Sequence, residues 1–377
     1  MSNIDARADG MDETGNRSDG ETAGVAASPM GSLLIVDGHA YAYRAFHAIR
    51  QLTSPAGAPT NAIYGFIKML DKLRGLLEGT EWVKRRAGET ATSPRLPVSP
   101  TPPLAHSPSL RVVVVWDGGL AAERLATLPG YKAQRAPMPA DLVPQLDEIG
   151  EYLKAAGIAS CCYEGVEADD WIATLARAAV AAGLSVVIAS SDKDFMQLVS
   201  PRVGLFNPND KSETVWGAEQ VFAKAGVLPA QVVDWLSLVG DAVDNIPGVP
   251  GVGTKTAAEL LGRFGSVAEL FTRLHEVRSE KLRAALESAR DMVRRNQQLI
   301  RLQDGLPGPV RLEDSVPRPP NDEQLRVLYA RWGFKSLLAK LGLACAGHAD
   351  RHGDTETGAA SPSGRLGDSA AQQGELF

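Results

Sequence analysis

The chain has 377 residues, of which 22% are charged and 44% hydrophobic, and a formal net charge of −6. That length permits one large or two ordinary domains, and no apolar run approaches a bilayer span or the apolar core of a secretory signal. Three cysteines, two of them adjacent (Cys161-Cys162), offer neither a disulfide framework nor metal-ligand spacing, so a reducing cytoplasmic setting is expected.

Residues 1–32 are rich in Gly, Ser, Ala and Asp without apolar periodicity, and are expected to be a disordered tail. Strand and helix signals then alternate as in βαβ units. The pattern predicts a strand at 33–36, a helix from Ile63 to Leu77 and a strand at 112–116. A helix around Leu142 to Ala155, a strand at 158–163 and a helix at 168–182 follow, and then a strand at 186–190 and a helix at 193–199. A hairpin of 203–206 with 214–216 closes this part, predicted as an α/β domain over 33–216. Between Lys84 and Ser109 six prolines fall from Pro94 to Pro108, which reads as an exposed insertion over 84–109. From 217 to about 345 the pattern is purely helical with Gly/Pro-rich turns, predicting a helical subdomain. Residues 346–377 read as a second disordered tail. The two tails carry −4 and −3, so the chain between them is about +1. Removing from it the nine acids discussed next leaves roughly +10, a basic body suited to a polyanion.

Those nine carboxylates are read as sitting where apolar strands run out. Asp37 ends Leu33-Leu34-Ile35-Val36, Asp117 ends Val112 to Trp116, and Glu167, Asp169 and Asp170 open the helix after Gly165. Asp192 and Asp194 follow Val186 to Ala189, and Asp241 and Asp244 close the apolar segment Val232 to Val239. Ligands of open α/β sheets bind beyond the carboxyl ends of the strands, so these acids are expected to converge. Each alone is also compatible with a turn former or a helix N-cap. The set is not, because anions a few ångströms apart repel by several kcal/mol at an effective dielectric of about 20. They require cations, and an all-oxygen donor set favours Mg²⁺ or Mn²⁺ over Zn²⁺. The pattern implies a divalent-metal phosphodiesterase.

Two further segments fit nucleic acid. In Gly130-Tyr131-Lys132-Ala-Gln-Arg135-Ala-Pro-Met-Pro139, Lys132 and Arg135 would share one face of a helix, where two cations can hold a phosphate and stabilise developing charge. In Asn245-Ile-Pro-Gly248-Val-Pro-Gly251-Val-Gly253-Thr254-Lys255-Thr256, glycines allow close backbone approach and a following helix N-terminus offers N–H groups to phosphate. The spacing departs from a P-loop, and a hairpin gripping duplex backbone without reading bases fits better.

Taken in order, Val36-Asp37-Gly38-His39 with Tyr43-Arg44, Tyr131 to Pro139, Gly165-Val-Glu-Ala-Asp-Asp170, Ser191-Asp-Lys-Asp194 and Gly240-Asp-Ala-Val-Asp-Asn-Ile-Pro-Gly248 resemble the 5′→3′ exonuclease domain of bacterial DNA polymerase I, a flap-endonuclease-type nuclease. The resemblance runs from about Leu33 to Leu343. It implies a Rossmann-like (PIN-like), mostly parallel sheet with a C-terminal helix-two-turn-helix subdomain. It implies one metal cluster on Asp37, Asp117, Glu167 and Asp169, and a second on Asp170 or Asp192, Asp194, Asp241 and Asp244. Asp117 and Asp169 would serve catalysis through metal, and Lys132 and Arg135 through the substrate phosphate. Arg44, Lys132, Arg135, Gly248, Gly251, Gly253, Thr254, Lys255 and Thr256 would contact DNA, with a K⁺ ion at the helix-two-turn-helix. The implied substrates are DNA 5′ flaps, nicks and ends, and RNA–DNA hybrids, in replication and repair at the nucleoid. Leu120 to Leu128 lacks the aromatic residues usual in such a gateway, which leaves the balance of exonuclease and flap cleavage open. No polymerase segment follows, so the chain is expected not to extend DNA. A DNA-binding module without catalysis would show eroded carboxylates, and an RNase of a related fold would lack the duplex-gripping hairpin. Finally, Gln373-Gly-Glu-Leu376-Phe377 resembles the short peptide that bacterial repair proteins insert into the sliding clamp, with Gln373, Leu376 and Phe377 as its contacts.

Overall fold

Six consecutive buried residues, Ser32–Asp37, form strand β1 at the centre of a sheet. Such a run without alternation is the mark of a strand covered on both faces. The computed structural model describes residues 31–79, 110–307 and 312–349, with side chains to 342. The 84–109 insertion and Gln373, Leu376 and Phe377 lie outside the described residues.

The sheet has the order β3-β2-β1-β4-β5-β6, with β2 at Arg111–Trp116, β3 at Ala159–Cys162, β4 at Ser185–Ala189, β5 at Val203–Phe206 and β6 at Val215–Trp216. β1 is parallel to β2 and β4, β4 is parallel to β5, and β5 and β6 form the antiparallel hairpin expected from sequence. The chain leaves β1 on one side to β2 and returns on the other to β4, so the strand order reverses at β1. In open α/β sheets the crevice at such a reversal is where ligands bind. Register then aims the side chains. Asp37 pairs with Val115, two residues before Asp117, and Val36 pairs with Ala189, which sets Asp37 beside Ser190.

The helices are α1 (Gly38–Ala48), α2 (Asn61–Gly79), α3 (Ala122–Thr127), α4 (Val143–Ala155) and α5 (Ala168–Ala181), then α6 (Ala218–Ala225), α7 (Val232–Val239), α8 (Thr254–Phe264), α9 (Val267–Thr272), α10 (Glu280–Ser288), α11 (Arg290–Ile300), α12 (Asp322–Trp332) and α13 (Lys335–Ala349). The segment after β4 departs from expectation. Lys193–Leu198 is a 3₁₀ helix capped by Asp192, whose Oδ1 accepts the Asp194 N–H at 2.9 Å. Helix α13 also continues past residue 345, since no proline stops it between Gly342 and Ala349.

The described chain divides into two compact units, each assembled from three segments. The first contains residues 31–40, 70–79, 110–136 and 161–317 where described, and includes α5 to α11. In it α7 packs on α8 and α11. Gly240 ends α7 at φ +80°, and a Cβ there would stand 2.4 Å from the Gly248 nitrogen. A side chain at Gly248 would stand 2.0 Å from the Val239 oxygen. Both glycines are therefore required where the loop from α7 to α8 folds back on the helix. Asn296 of α11 holds that loop through Nδ2 bonds to the Ser237 and Pro247 carbonyls, at 3.1 and 2.7 Å.

The second unit contains residues 41–69, 137–160 and 318–349. Buried Gln145 is its polar hub. Its Oε1 accepts the N–H groups of Ala62 and Ile63 at the start of α2, and its Nε2 donates to Asn61 Oδ1 and the Asp141 carbonyl. Tyr152 of α4 meets Tyr329 of α12, and Trp332 Nε1 donates to Glu148 at 2.9 Å. Arg44 lies exposed on the part of α1 that belongs to this unit. Among the described residues no single helix is long and apolar enough to cross a membrane.

Candidate active site

The site is built at the carboxyl ends of β1, β2 and β4, within the first unit. Asp37 is buried, its Oδ1 accepting the Ala40 N–H at 3.0 Å and its Oδ2 the Ser190 hydroxyl at 2.8 Å. Ser190 Oγ in turn accepts the Asp192 N–H at 3.1 Å, so one serine links the ends of β1 and β4. Asp117 follows β2, with its N–H donated to His39 Nδ1 at 3.1 Å and its Oδ1 accepting from Gly119. Glu167 is the residue preceding α5, almost fully buried, and its Oε1 accepts the Ala121 N–H at 3.1 Å.

Asp241 and Asp244 do not end a strand. They sit in the turn after helix α7, closed by an isolated bridge between Asp241 and Ile246. Apolar Val232 to Val239 is buried on most sides, and a buried helix cannot be told from a strand by hydrophobicity alone. One ligand oxygen each from Asp194, Asp241 and Asp244 lies within 4.8 Å of the others. Asp194 Oδ1 is buried with no hydrogen-bond partner.

The expected helical face of Lys132 and Arg135 is replaced by a turn. Lys132 has φ +56°, in the left-handed region, and its N–H is donated to the Asp244 carbonyl at 3.1 Å. The adjacent Asn245 Nδ2 donates to the Gly130 carbonyl at 2.7 Å. Tertiary bonds to the 241–246 turn thus override local helix propensity. The two cations still reach the acids. Lys132 Nζ is buried 2.5 Å from Glu167 and 3.9 Å from Asp169, while half-exposed Arg135 reaches Asp244 at 2.7 Å. Tyr131 donates its hydroxyl to Glu167 at 3.1 Å and lies 3.5 Å from Asp244. Lys193 pairs with Asp241 at 3.0 Å.

Asp170, another expected ligand, is engaged by protein donors on both oxygens. It is bound at both oxygens by buried Arg124, each contact 2.8 Å, and Oδ1 also accepts the Gln303 N–H at 2.9 Å. Residues 169 and 170 are adjacent on a helix and so point in different directions, a consequence of the 3.6-residue period. Arg124, Tyr131, Ser190 and Lys193 were not singled out as site residues from sequence. The apolar period of α3 leaves Arg124 looking like an ordinary surface cation.

The remaining acids outnumber their cations, and their acidities show it. Burial first, and then Asp192 and Asp117, push the Asp37 carboxyl up to about 6. Burial and the Asp192 charge raise Asp169 well above the usual carboxylate range, and burial with Asp192, Asp244 and Asp241 does the same for Asp194. Asp192 is raised by burial and by Asp244 and Asp241. Glu167 goes the other way: burial alone would raise it, but Lys132 and Arg124 together hold it below its ordinary value.

The hairpin residues form a second surface. Gly251, Gly253, Thr254 and Lys255 are exposed, and Thr256 and Gly248 half-exposed, around the N-terminus of α8. Gly253 caps that helix without a side-chain bond, leaving N–H groups of the first turn facing outward.

Two family models match: the 5′–3′ exonuclease N-terminal resolvase-like domain over residues 32–83 and 104–226, and the 5′–3′ exonuclease C-terminal SAM fold over 227–323. Fold and site together define a nuclease of the resolvase-like α/β class. Among curated relatives, DNA polymerase I of Rhizobium leguminosarum is 35% identical over 314 residues, covering 83% of this chain and 28% of its own. The thermostable DNA polymerase I of Thermus thermophilus is 37% identical over 315 residues, covering 84% and 34% respectively. The chain spans about a third of the length of these relatives. Bacteriophage T5 5′-exonuclease with bound zinc superposes with a TM-score of 0.53 at 21% identity, covering 80% of this chain and 99% of that one. A T5 flap endonuclease complex with DNA and metal ions gives 0.53 at 19% identity, covering 85% and 99%. The chain belongs to the 5′–3′ exonuclease family.

Proposed function

We propose that this chain hydrolyses phosphodiester bonds of DNA at 5′ ends, nicks and flaps, in primer or flap removal. The observation that carries this reading is the excess of mutually raised carboxylates at the sheet's switch point, with Lys132 and Arg135 among them. Those carboxylates fit divalent metal. The donor set is all oxygen, the acids are undercompensated, and Asp194 Oδ1 is buried without a partner in the one cluster among the described residues that meets ligand spacing. Asp37, Asp117, Glu167 and Asp169 would hold one ion, and Asp192, Asp194, Asp241 and Asp244 another, with Mg²⁺ or Mn²⁺ as the cofactor. When bound, such ions supply an activated water and stabilise the leaving oxygen. Lys132 and Arg135, which here balance Glu167 and Asp244, would turn to the scissile phosphate when metal takes up those acids and stabilise charge on its oxygens.

The exposed N-terminus of α8, with Lys255, suits duplex backbone downstream of the cut, and a K⁺ ion on loop carbonyls would reinforce it. Residues 33–216 would then carry the chemistry and 217–345 the grip on duplex. RNA–DNA hybrids are a further substrate of this reading, the nucleoid its cellular site, and the sliding clamp a partner through Gln373, Leu376 and Phe377. The test is cleavage of an end-labelled 5′ flap, a nicked duplex and an RNA–DNA hybrid with and without Mg²⁺. Metal-dependent release of 5′ products is expected. Absence of cleavage on every substrate with Mg²⁺ and with Mn²⁺ would overturn the proposal.

A further inference from the structure

Arg124 is the only buried residue of α3, at 5% exposure, and nothing in its helix accounts for that. All five of its N–H groups have acceptors within reach. Nη1 and Nη2 grip Asp170 at 2.8 Å each, Nη1 lies 3.2 Å from Glu167, and Nε and Nη2 meet the Leu299 and Arg301 carbonyls at 3.0 and 3.4 Å. One guanidinium therefore joins three elements: α3, the first turn of α5 and the C-terminal end of α11. A planar fork suits such a junction, whereas an ammonium would serve only part of it. Buried ion pairs are weak contributors to stability, since apolar replacements of similar volume are often neutral or stabilising. The pair is better understood by what it orients.

We propose that Arg124 is a positioning residue for hydrolysis, and that Asp170 is its counter-ion and not a metal ligand. Held between them, the first turn of α5 presents Glu167 and Asp169 to the crevice at a fixed angle. The contrast with Asp194 supports the division. Asp194 Oδ1 has no protein partner, whereas Asp170 has a donor on each oxygen and a second on Oδ1. A metal at Asp170 would have to displace the guanidinium. The inference rests on the nuclease reading for its rate measurement, and a binding measurement stands apart from it.

Three full-length variants decide the matter: Asp170→Asn, Arg124→Lys and Asp169→Asn, each checked by thermal denaturation. Mn²⁺ binding followed by calorimetry, without substrate, is expected to weaken several-fold less for Asp170→Asn and Arg124→Lys, which leave the proposed ligands unchanged, than for Asp169→Asn, which removes one and should lose at least about tenfold. On a 5′ flap, Arg124→Lys is expected to lower kcat about tenfold or more with KM nearly unchanged, the signature of misplaced ligands rather than lost binding. Mn²⁺ affinity lost in Asp170→Asn to the degree seen in Asp169→Asn would overturn the counter-ion assignment. A lowered melting temperature with kcat intact in Arg124→Lys would reduce the pair to a structural contact and overturn the positioning role. If the parent itself fails to cleave, the functional reading falls while the Mn²⁺ comparison still decides Asp170.

Discussion

Replacing Asp37 by Asn is expected to stabilise the metal-free protein while destroying its activity. The carboxyl is raised from 3.8 to about 6 by burial and by its neighbours Asp192 and Asp117. At 1.36 kcal/mol per unit, the folded state at neutral pH carries about 3 kcal/mol of strain from this one charge. The amide gives part of this back. Its oxygen can accept the Ala40 N–H, and its Nδ2 can donate to the second lone pair of Ser190 Oγ, but the buried Ser190 hydroxyl then loses its acceptor, at a cost of about 1 kcal/mol. For a folded body of roughly 300 residues, the remaining gain of about 2 kcal/mol corresponds to a rise in Tm of about 3 °C. The pH dependence gives the sign. A carboxyl raised in the folded state binds its proton more tightly there, so its contribution is present below 3.8 and is lost as pH rises through about 6. Calorimetric unfolding in excess EDTA should therefore show the variant slightly behind the parent near pH 4 and ahead of it by pH 7. Adding Mg²⁺ should narrow the gap, because the parent binds it better. A variant less stable than the parent at pH 7 in EDTA, or a gap that ignores pH between 4 and 7, would refute the reasoning.

Other substitutions probe the remaining parts. Asp117→Asn and Asp169→Asn should each lower flap cleavage by about 100-fold or more while fluorescence anisotropy shows flap binding retained. Lys132→Ala and Arg135→Ala should both lower kcat with little change in duplex affinity, but they should part in denaturant titration. The first uncovers buried Glu167 and costs about 3 kcal/mol or more, whereas the second removes a half-exposed pair and costs about 1 kcal/mol at most. Lys255→Ala should weaken duplex binding alike for all sequences and reduce the salt slope by about 1, measured from 50 to 200 mM salt.

The parts of the site legible in sequence are those whose position follows from a strand. Once Leu33 to Val36 and Val186 to Ala189 are recognised as buried parallel strands, Asp37 and Asp192 must emerge at the same edge. The hairpin at β5 and β6 and the long helices α2, α4 and α5 follow from period in the same way. Asp170 shows the limit: it opens the same helix as Glu167 and Asp169, and sequence does not show that its two oxygens meet Arg124. Arg124 itself is invisible in sequence because its acceptors come from residues 167, 170, 299 and 301, and no local signal announces contacts that distant. Lys132 is similar. Its left-handed turn is fixed by a bond to Asp244, more than a hundred positions away, and a stretch without glycine at that point reads as helix.

That last bond ties the candidate site to a contact between segments far apart in sequence. The turn bearing Lys132 takes its shape from the Asp244 carbonyl and the Asn245 amide, and the carboxylates of Asp241 and Asp244 arrive on the same turn. Closing so long a loop is slow compared with forming the helices on either side of it. A nascent chain that has made β1, β2 and β4 holds a sheet with repelling acids and an unanchored lysine. Under the proposed function, the expected consequence is that a partly folded chain lacks a complete site until residues 241–246 dock.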